Sequence, residues 1–324
     1  MKTKEQLLTL FENNKGCYFS GEEIAEALSV SRTAVWKAVK TLRDDGYRID
    51  AMPNRGYRLA EDSDILSAQG IRRYLTPDCA MVRPEIFPVL DSTNRKVREQ
   101  ASAGAPEGYA AIALQQTAGK GRRGHHFHSP AGTGIYMSLL LRPAHLSAQD
   151  ASRLTTTAAV AACEAIEAVS GKEALIKWVN DIFVNGKKAA GILTEASISV
   201  ENGLLEYAVL GIGINALPPE DGFPDDIRDI AGAVFDGPAG DGKNRLAAEF
   251  LNRFMSYYHT PQDAVLYSRY RERCFVIGRT VQVLSANGSR TAKVLGLDED
   301  FRLSVEYENG EKEALISGEL SVKI

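Results

Sequence analysis

The stretch Gln116-Thr117-Ala118-Gly119-Lys120-Gly121-Arg122-Arg123-Gly124 mixes three glycines with three cations and offers nothing to build a core. Glycine admits positive φ and close backbone approach, at an entropic cost to folding. Bare N–H groups beside Lys and Arg heads make a concave cationic site for an anion such as phosphate. The spacing is not that of a P-loop. Gly119, Gly121 and Gly124 fit Gly-x-Gly-x-x-Gly, but Arg122 and Arg123 crowd it, and His128-Ser129-Pro130 follows rather than a capped helix. A solvated basic turn is the alternative, since charge runs commonly face water.

A second stretch holds Lys177-Trp178-Val179-Asn180-Asp181 and Lys187-Lys188-Ala189-Ala190-Gly191-Ile192 on either side of Asn185-Gly186. Asn-Gly between apolar runs predicts a type I′ hairpin. Asp181 then opens the outgoing strand and Lys188 the returning one. The small residues Ala189, Ala190 and Gly191 let something lie against that strand. Lys187 reads as a wet hairpin tip; Lys188 is either the same or an anion ligand. A third cluster, Ser92-Thr93-Asn94, follows Asp91 at a helix start. Capping needs one such side chain, so three leave groups spare for a polar ligand.

These groups need a frame. The 324 residues, 44% hydrophobic and 25% charged, predict a globular protein of two to three domains. A net charge of −4 excludes a basic nucleic-acid coat. Yet the first 60 residues carry ten Lys and Arg against eight Asp and Glu, leaving 28 against 34 for the rest. That asymmetry suits a DNA-binding head on an acidic body. Cys17, Cys79, Cys163 and Cys274 are widely spaced, with no Cys-x-x-Cys, and read as free thiols in a reducing cytoplasm. With no signal peptide and no bilayer-length apolar run, a cytoplasmic location without membrane association is expected.

In the head, residues 3–14 place Leu7, Leu8, Leu10 and Phe11 on one helix side. Ser20 and Glu23 form a capping box before a second helix. After Ser29-Val30-Ser31 a third helix spans 32–43, with Val35, Ala38, Val39 and Leu42 inward and Arg32, Thr33, Trp36, Lys37 and Lys40 outward. Short strands at 47–52 and 56–59 around Pro53-Asn54-Arg55 complete a winged helix-turn-helix, Arg55 being placed for a phosphate backbone. Trp36 could pack under the wing or reach a thymine methyl, and a three-helix interaction domain is the plainer alternative. Glu61-Asp62-Ser63-Asp64 reads as a polar linker.

Beyond it, helices are expected at 65–75, 95–103, 154–169 and 244–258, and strands at 85–90, 109–114, 135–141 and 207–215. The glycine-rich loop joins two of these strands. Residues 216–230 are too long for a mere connector. Short strands at 281–284, 291–297, 303–307, 313–316 and 320–324, with hairpin turns at Asn287-Gly288 and Asn309-Gly310, suggest a small barrel.

Taken in order, Asp91 to Asn94, Gln116 to Gly124, Lys177 to Asp181, Lys187 to Ile192 and Gly211-Ile212-Gly213-Ile214-Asn215 resemble bifunctional biotin–protein ligases that are also biotin-operon repressors. The winged head extends the likeness over essentially the whole chain. The resemblance implies an α+β chain. A winged helix-turn-helix DNA-binding domain covers 1–62. A mixed-sheet α/β ligase domain, of the class II synthetase and biotin–lipoate ligase type, covers 63–271. A small SH3-like β-barrel covers 272–324. It implies that biotin and ATP, with Mg²⁺, give biotinyl-5′-adenylate, and that a lysine of a biotin carboxyl carrier domain then takes the biotin.

By the same resemblance, Ser92, Thr93, Asn94 and Gln116 line the biotin head-group pocket, with Gly191 beside them. Lys120, Gly121 and Arg122 cover biotin and contact phosphate, while Arg123 and Gly124 shape the loop, Arg123 reaching the nucleotide. Lys188 bridges the biotin carboxylate and the α-phosphate. Asp181 orients or deprotonates the incoming lysine. Asn180 and Asn215 sit at the nucleotide, and part of 216–230 folds over the adenylate, with Phe223 stacking. Lys120 departs from the family's usual Arg, Phe127 from its usual Trp, and His125, His126 and His128 from basic residues. Those histidines read as polar loop residues, and no dedicated metal site is expected. Arg32, Thr33, Trp36, Lys37, Lys40 and Arg55 would face operator DNA, presented by a homodimer that forms when adenylate is bound. A biotin sensor without transfer and a lipoate–protein ligase are the alternatives.

Overall fold

The computed structural model describes residues 2–143, 146–147, 150–199, 201–285, 288–316 and 318–321. The head consists of α1 (Thr3–Asn13), α2 (Gly21–Leu28), α3 (Arg32–Asp44) and a two-stranded wing, β1 (Ile49–Met52) and β2 (Gly56–Leu59). Ser20 accepts the Glu23 N–H and Glu23 accepts the Ser20 N–H, closing the capping box on α2. Ser31 caps α3 in the same way, through the Ala34 N–H. Leu7, Phe11, Ile24, Val35, Val39 and Leu42 form a separate core. Arg32, Thr33, Lys37 and Lys40 are exposed. Trp36 is 54% exposed, with the Lys40 ammonium 5.9 Å from its ring, so it does not pack beneath the wing. Arg55 lies 4.4 Å from the Tyr18 ring at the exposed wing tip.

The expected free linker is instead fastened down. Asp62 pairs with Arg48, Ser63 is buried with its carbonyl accepting from Lys15, and Asp64 pairs with Lys243 at 3.6 Å. The cause is packing of α1 on α4 (Ala68–Tyr74) of the body. That contact desolvates charges, which must then be paired. Lys15 reaches Asp241 at 2.9 Å and Glu12 at 3.6 Å. The helix expected at 65–75 accordingly begins later, where Ser67 caps Gly70 and its N–H donates to Asn244.

The body is one seven-stranded sheet. Its order is β3 (Arg83–Phe87), β4 (Tyr109–Ala113), β5 (Gly134–Leu141), β9 (Leu205–Asn215), β8 (Lys187–Ile198), β7 (Asp181–Val184) and β6 (Ala174–Lys177). Only β3 and β4 run parallel. Every residue of β5 is buried, as expected of a central strand covered on both faces. Helix α5 (Thr93–Ser102) covers one face, with Val97 and Ala101 against Ala111, Leu140 and Val209. Helix α6 (Ala151–Ser170), with α7 (Gly242–His259) and α8 (Asp263–Arg273), covers the other. Asn185 and Gly186 both take positive φ, 51° and 74°, as a type I′ turn requires.

A five-stranded antiparallel sheet ends the chain, ordered β13 (Lys312–Leu315), β12 (Leu303–Tyr307), β11 (Gly288–Leu297), β10 (Thr280–Ser285) and β14 (Glu319–Ser321). Its last strand returns beside its first, as in a small SH3-like barrel. Asn287 of the expected turn and residues 322–324 of the expected last strand lie outside the described residues. The barrel is bonded to the body: Trp178 Nε1 donates to the Phe301 carbonyl at 2.9 Å and Tyr267 Oη to that of Leu297 at 2.8 Å. None of the four cysteines is disulfide-bonded.

Candidate functional site

A cleft of about 350 Å³ opens over β8 and β9. The register sets Gly191 opposite Gly213 and Leu193 opposite Gly211. These glycines thin the sheet where two side chains rest on it. A Cβ on Gly213 would lie 2.5 Å from the Phe127 ring, and one on Gly211 would lie 2.1 Å from Asn94 Oδ1.

One end of the cleft is buried and neutral. Ser92, Thr93 and Asn94 are only 3%, 4% and 5% exposed. Ser92 is the N-cap of α5, yet its hydroxyl makes no capping bond. Gln116 Oε1 accepts the Thr93 N–H at 2.8 Å and lies 3.1 Å from Thr93 Oγ1, while Gln116 Nε2 donates to Ser129 Oγ at 3.0 Å. Ser138 on β5 and Glu195 on β8 extend the network to Asn94. Neither was expected, because their partners are distant in sequence.

The other end is cationic. Lys120, Gly121, Arg122, Arg123 and Lys188 all line it. The glycine-rich segment turns back on itself, with Gly121 N–H donating to the His125 carbonyl and Phe127 N–H to that of Gly119. Lys188 Nζ sits 2.6 Å from Asp181 Oδ1. Its backbone is pinned by the long connection, Lys188 N–H to the Ile230 carbonyl and Gly232 N–H to the Lys188 carbonyl. Arg122 Nη1 donates to Asn180 Oδ1 at 3.3 Å and to the Gly318 carbonyl at 3.4 Å, and Arg123 Nη1 to the Leu284 carbonyl at 3.3 Å. The small barrel therefore braces both arginines.

Not every expected residue meets the cleft. Asn215 does not line it; its amide donates to the Gly232 carbonyl and anchors the end of the long connection. Gly124 and Phe223 are also absent from the lining, whereas Ile227 and Ile230 supply its apolar edge. Lys187 is exposed and bonds the Arg228 carbonyl, as a hairpin tip would. His125 and His126 stand at the mouth. Burial, followed by His126, lowers the His128 pKa from its ordinary 6.5, against an opposing pull from Asp226. Among the described residues, no group of three His, Cys, Asp or Glu is placed to hold a metal.

The arrangement fits a ligand with a neutral hydrogen-bonding head, an apolar middle along Phe127, Ile192 and Ile212, and an anionic tail. Cations aimed at that tail can stabilise charge that develops on phosphate or carboxyl oxygens.

The chain is similar to known proteins over most of its length. Residues 86–215 match the biotin/lipoate A/B protein ligase family, 3–58 an HTH domain and 276–323 the biotin protein ligase C-terminal domain. The chain is 37% identical to the bifunctional ligase/repressor BirA of Bacillus spizizenii over 318 residues, 95% of each chain. It is 34% identical to the protein of the same name from Escherichia coli over 65% of this chain and 62% of that one. The solved structure of biotin protein ligase from Aquifex aeolicus in complex with biotin and ATP superposes with a TM-score of 0.61 at 26% identity, covering 74% of this chain and 97% of that one.

Proposed function

This chain belongs to the biotin/lipoate A/B protein ligase family, in its bifunctional ligase/repressor branch, and from that premise we propose how its residues divide the work. The chain is an ATP-dependent biotin–protein ligase and a biotin-responsive repressor. The observation that carries the residue assignment is a single cleft with a neutral hydrogen-bonding end and a cationic end.

Thr93, Asn94 and Gln116, with Ser92, hold the cyclic urea of biotin, and Gly191 leaves room for its chain. A biotin carboxylate oxygen attacks the α-phosphorus of ATP; the bond to the bridging oxygen breaks and pyrophosphate leaves. Lys188 spans carboxylate and α-phosphate, and Lys120 and Arg122 meet the charge that grows on their oxygens. Arg123 and Asn180 serve the nucleotide. In the second step the carrier lysine's neutral amine attacks the acyl carbon, AMP departs with the anhydride oxygen, and the amine loses its proton. Asp181 first holds Lys188 in place, then orients the incoming amine or takes the proton it loses. Mg²⁺ enters as the counter-ion of ATP. Among the described lining residues Asp181 alone carries a carboxylate, already paired with Lys188, so the protein's own contribution at the phosphates is cationic.

The three units divide near residues 62 and 271. Arg32, Thr33, Trp36, Lys37, Lys40 and Arg55 face DNA, and a homodimer formed with bound adenylate presents two heads to a two-fold operator. The first test incubates the protein with biotin, MgATP and a carrier domain and follows carrier mass. A biotin adduct is expected. Binding without transfer would leave a sensor, and a lipoate adduct in place of biotin would move the assignment to the sister substrate. Sedimentation with and without biotin plus MgATP tests the dimer; an unchanged mass would overturn it.

A further inference from the structure

Asn94 lies behind the Thr93–Gln116 pair, its amide pressed onto Gly211. Asn94 Nδ2 faces two acceptors, the Leu193 carbonyl at 3.2 Å and Glu195 Oε2 at 2.7 Å. An amide nitrogen has two protons, so both are used there. The flipped amide would set Oδ1 against a carbonyl and a carboxylate. Glu195 is held in turn by Arg98, whose Nη1 lies 3.1 Å from Glu195 Oε1.

Asn94 Oδ1 is thereby turned toward Ser138 Oγ, 2.6 Å away. Ser138 is fully buried and owns one proton. Facing an amide oxygen, it donates there. Ser138 Oγ also lies 2.7 Å from Thr93 Oγ1, and the single Thr93 proton has two acceptors inside the protein, Ser138 Oγ and, at 3.1 Å, Gln116 Oε1. On either acceptor the Thr93 proton is used within the protein, and the Gln116 side-chain carbonyl accepts the Thr93 N–H. What remains for a ligand at Thr93 Oγ1 and Gln116 Oε1 is acceptor capacity.

We propose that Glu195 is a positioning residue which, through Asn94 and Ser138, orders the protons of this wall so that it meets the ligand with hydrogen-bond acceptors. Such a wall selects a ring bearing N–H donors, such as a cyclic urea, over one without them, such as a dithiolane. The inference rests on the ligase reading above for the identity of the ligand. Without Glu195, Asn94 and the two hydroxyls can reorient and the wall loses its preference.

The test measures biotin Kd by calorimetry on the full chain, with Tm and the ATP KM at saturating biotin as controls. Glu195→Ala should raise the biotin Kd by about tenfold, the scale of one hydrogen bond to a charged group, with the ATP KM little changed. Glu195→Gln, whose amide oxygen can still accept from Asn94, should stay within about threefold of wild type. An unchanged biotin Kd in Glu195→Ala, equal loss of biotin and ATP affinity, or equal loss in both variants overturns the proposal. If Glu195→Ala does not fold, Ser138→Ala interrupts the same chain one link later, and wild-type biotin affinity there is equally fatal. Failure of the wild-type protein to bind biotin is a different result: it removes the ligase reading and this inference with it.

Discussion

The two ends of the cleft solve opposite problems. At the neutral end, Thr93, Asn94 and Ser138 are buried on α5 and β5, and their donors are used within the protein, which leaves acceptors for a ligand. At the cationic end, Lys120 and Arg123 are exposed on a glycine-rich loop, and Lys188 is partly exposed at a hairpin. A neutral head group is distinguished by direction, so its partners must be rigid and desolvated, where each bond counts for more. A buried cation without a partner is costly. The cations here therefore stay near water, lightly held by carbonyls and by Asp181, as the proposed phosphate contacts would require.

The largest effect should come from breaking the cationic end. Lys188→Ala should slow pyrophosphate release by about 10²–10³-fold, the usual size of one lost charge-stabilising donor. The Tm should barely move, because the residue forms no part of the core. Arg122→Ala should cost about 10-fold to 10²-fold. Since this arginine bonds both Asn180 and the barrel carbonyl of Gly318 and meets charge that grows during the reaction, steady-state kinetics should show the loss in kcat as well as in the ATP KM. An effect confined to biotin would place Arg122 at the wrong end.

Gly211→Ala attacks the neutral end. Its Cβ would meet Asn94 Oδ1 at 2.1 Å, an overpacking that costs about 1–3 kcal/mol by urea titration. Biotin affinity should fall by about tenfold as the Asn94 bonds are displaced. Turnover at saturating biotin should survive. If Gly211→Ala and Lys188→Ala gave the same kinetic pattern, the division between the ends would be lost.

The smallest effect concerns pH. The His128 pKa is lowered in the folded protein, so the unfolded chain takes up the proton first. Stability contributed by neutral His128 is present above its ordinary 6.5 and declines as pH falls below it. Amide exchange in residues 119–128 should accordingly be faster relative to the core at pH 5.5 than at pH 7.5, and His128→Asn should shrink that difference. The neutral end, which has no histidine in its network, should keep its protection at both values.

The winged head was legible because its signals are local. Ser20 and Glu23 cap a helix from three residues apart, and Val35, Ala38, Val39 and Leu42 recur at helical spacing. Asn185-Gly186 likewise specified its turn through the positive φ that both residues adopt. The cations at 120, 122, 123 and 188 announced an anion site by residue type, and all four line the cleft.

Contacts between distant segments were hidden. Glu195 and Ser138 look like ordinary strand residues until the β8–β9 register and the placement of α5 bring them to Asn94. The Asn215 amide also anchors the Gly232 carbonyl, and the segment expected as a free linker is held by Asp64 on Lys243 beside the Lys15–Asp241 pair. Residue type and short-range spacing determined by themselves the winged head, the Asn185-Gly186 turn and the cores of α5, α6 and α7, but not the start of α4 or the presence of α8. Only the tertiary structure decided which amide faces which acceptor and which carbonyl braces Arg122. A hydrogen bond depends on tenths of an ångström and on direction, and those are set where chain segments far apart in sequence pack together.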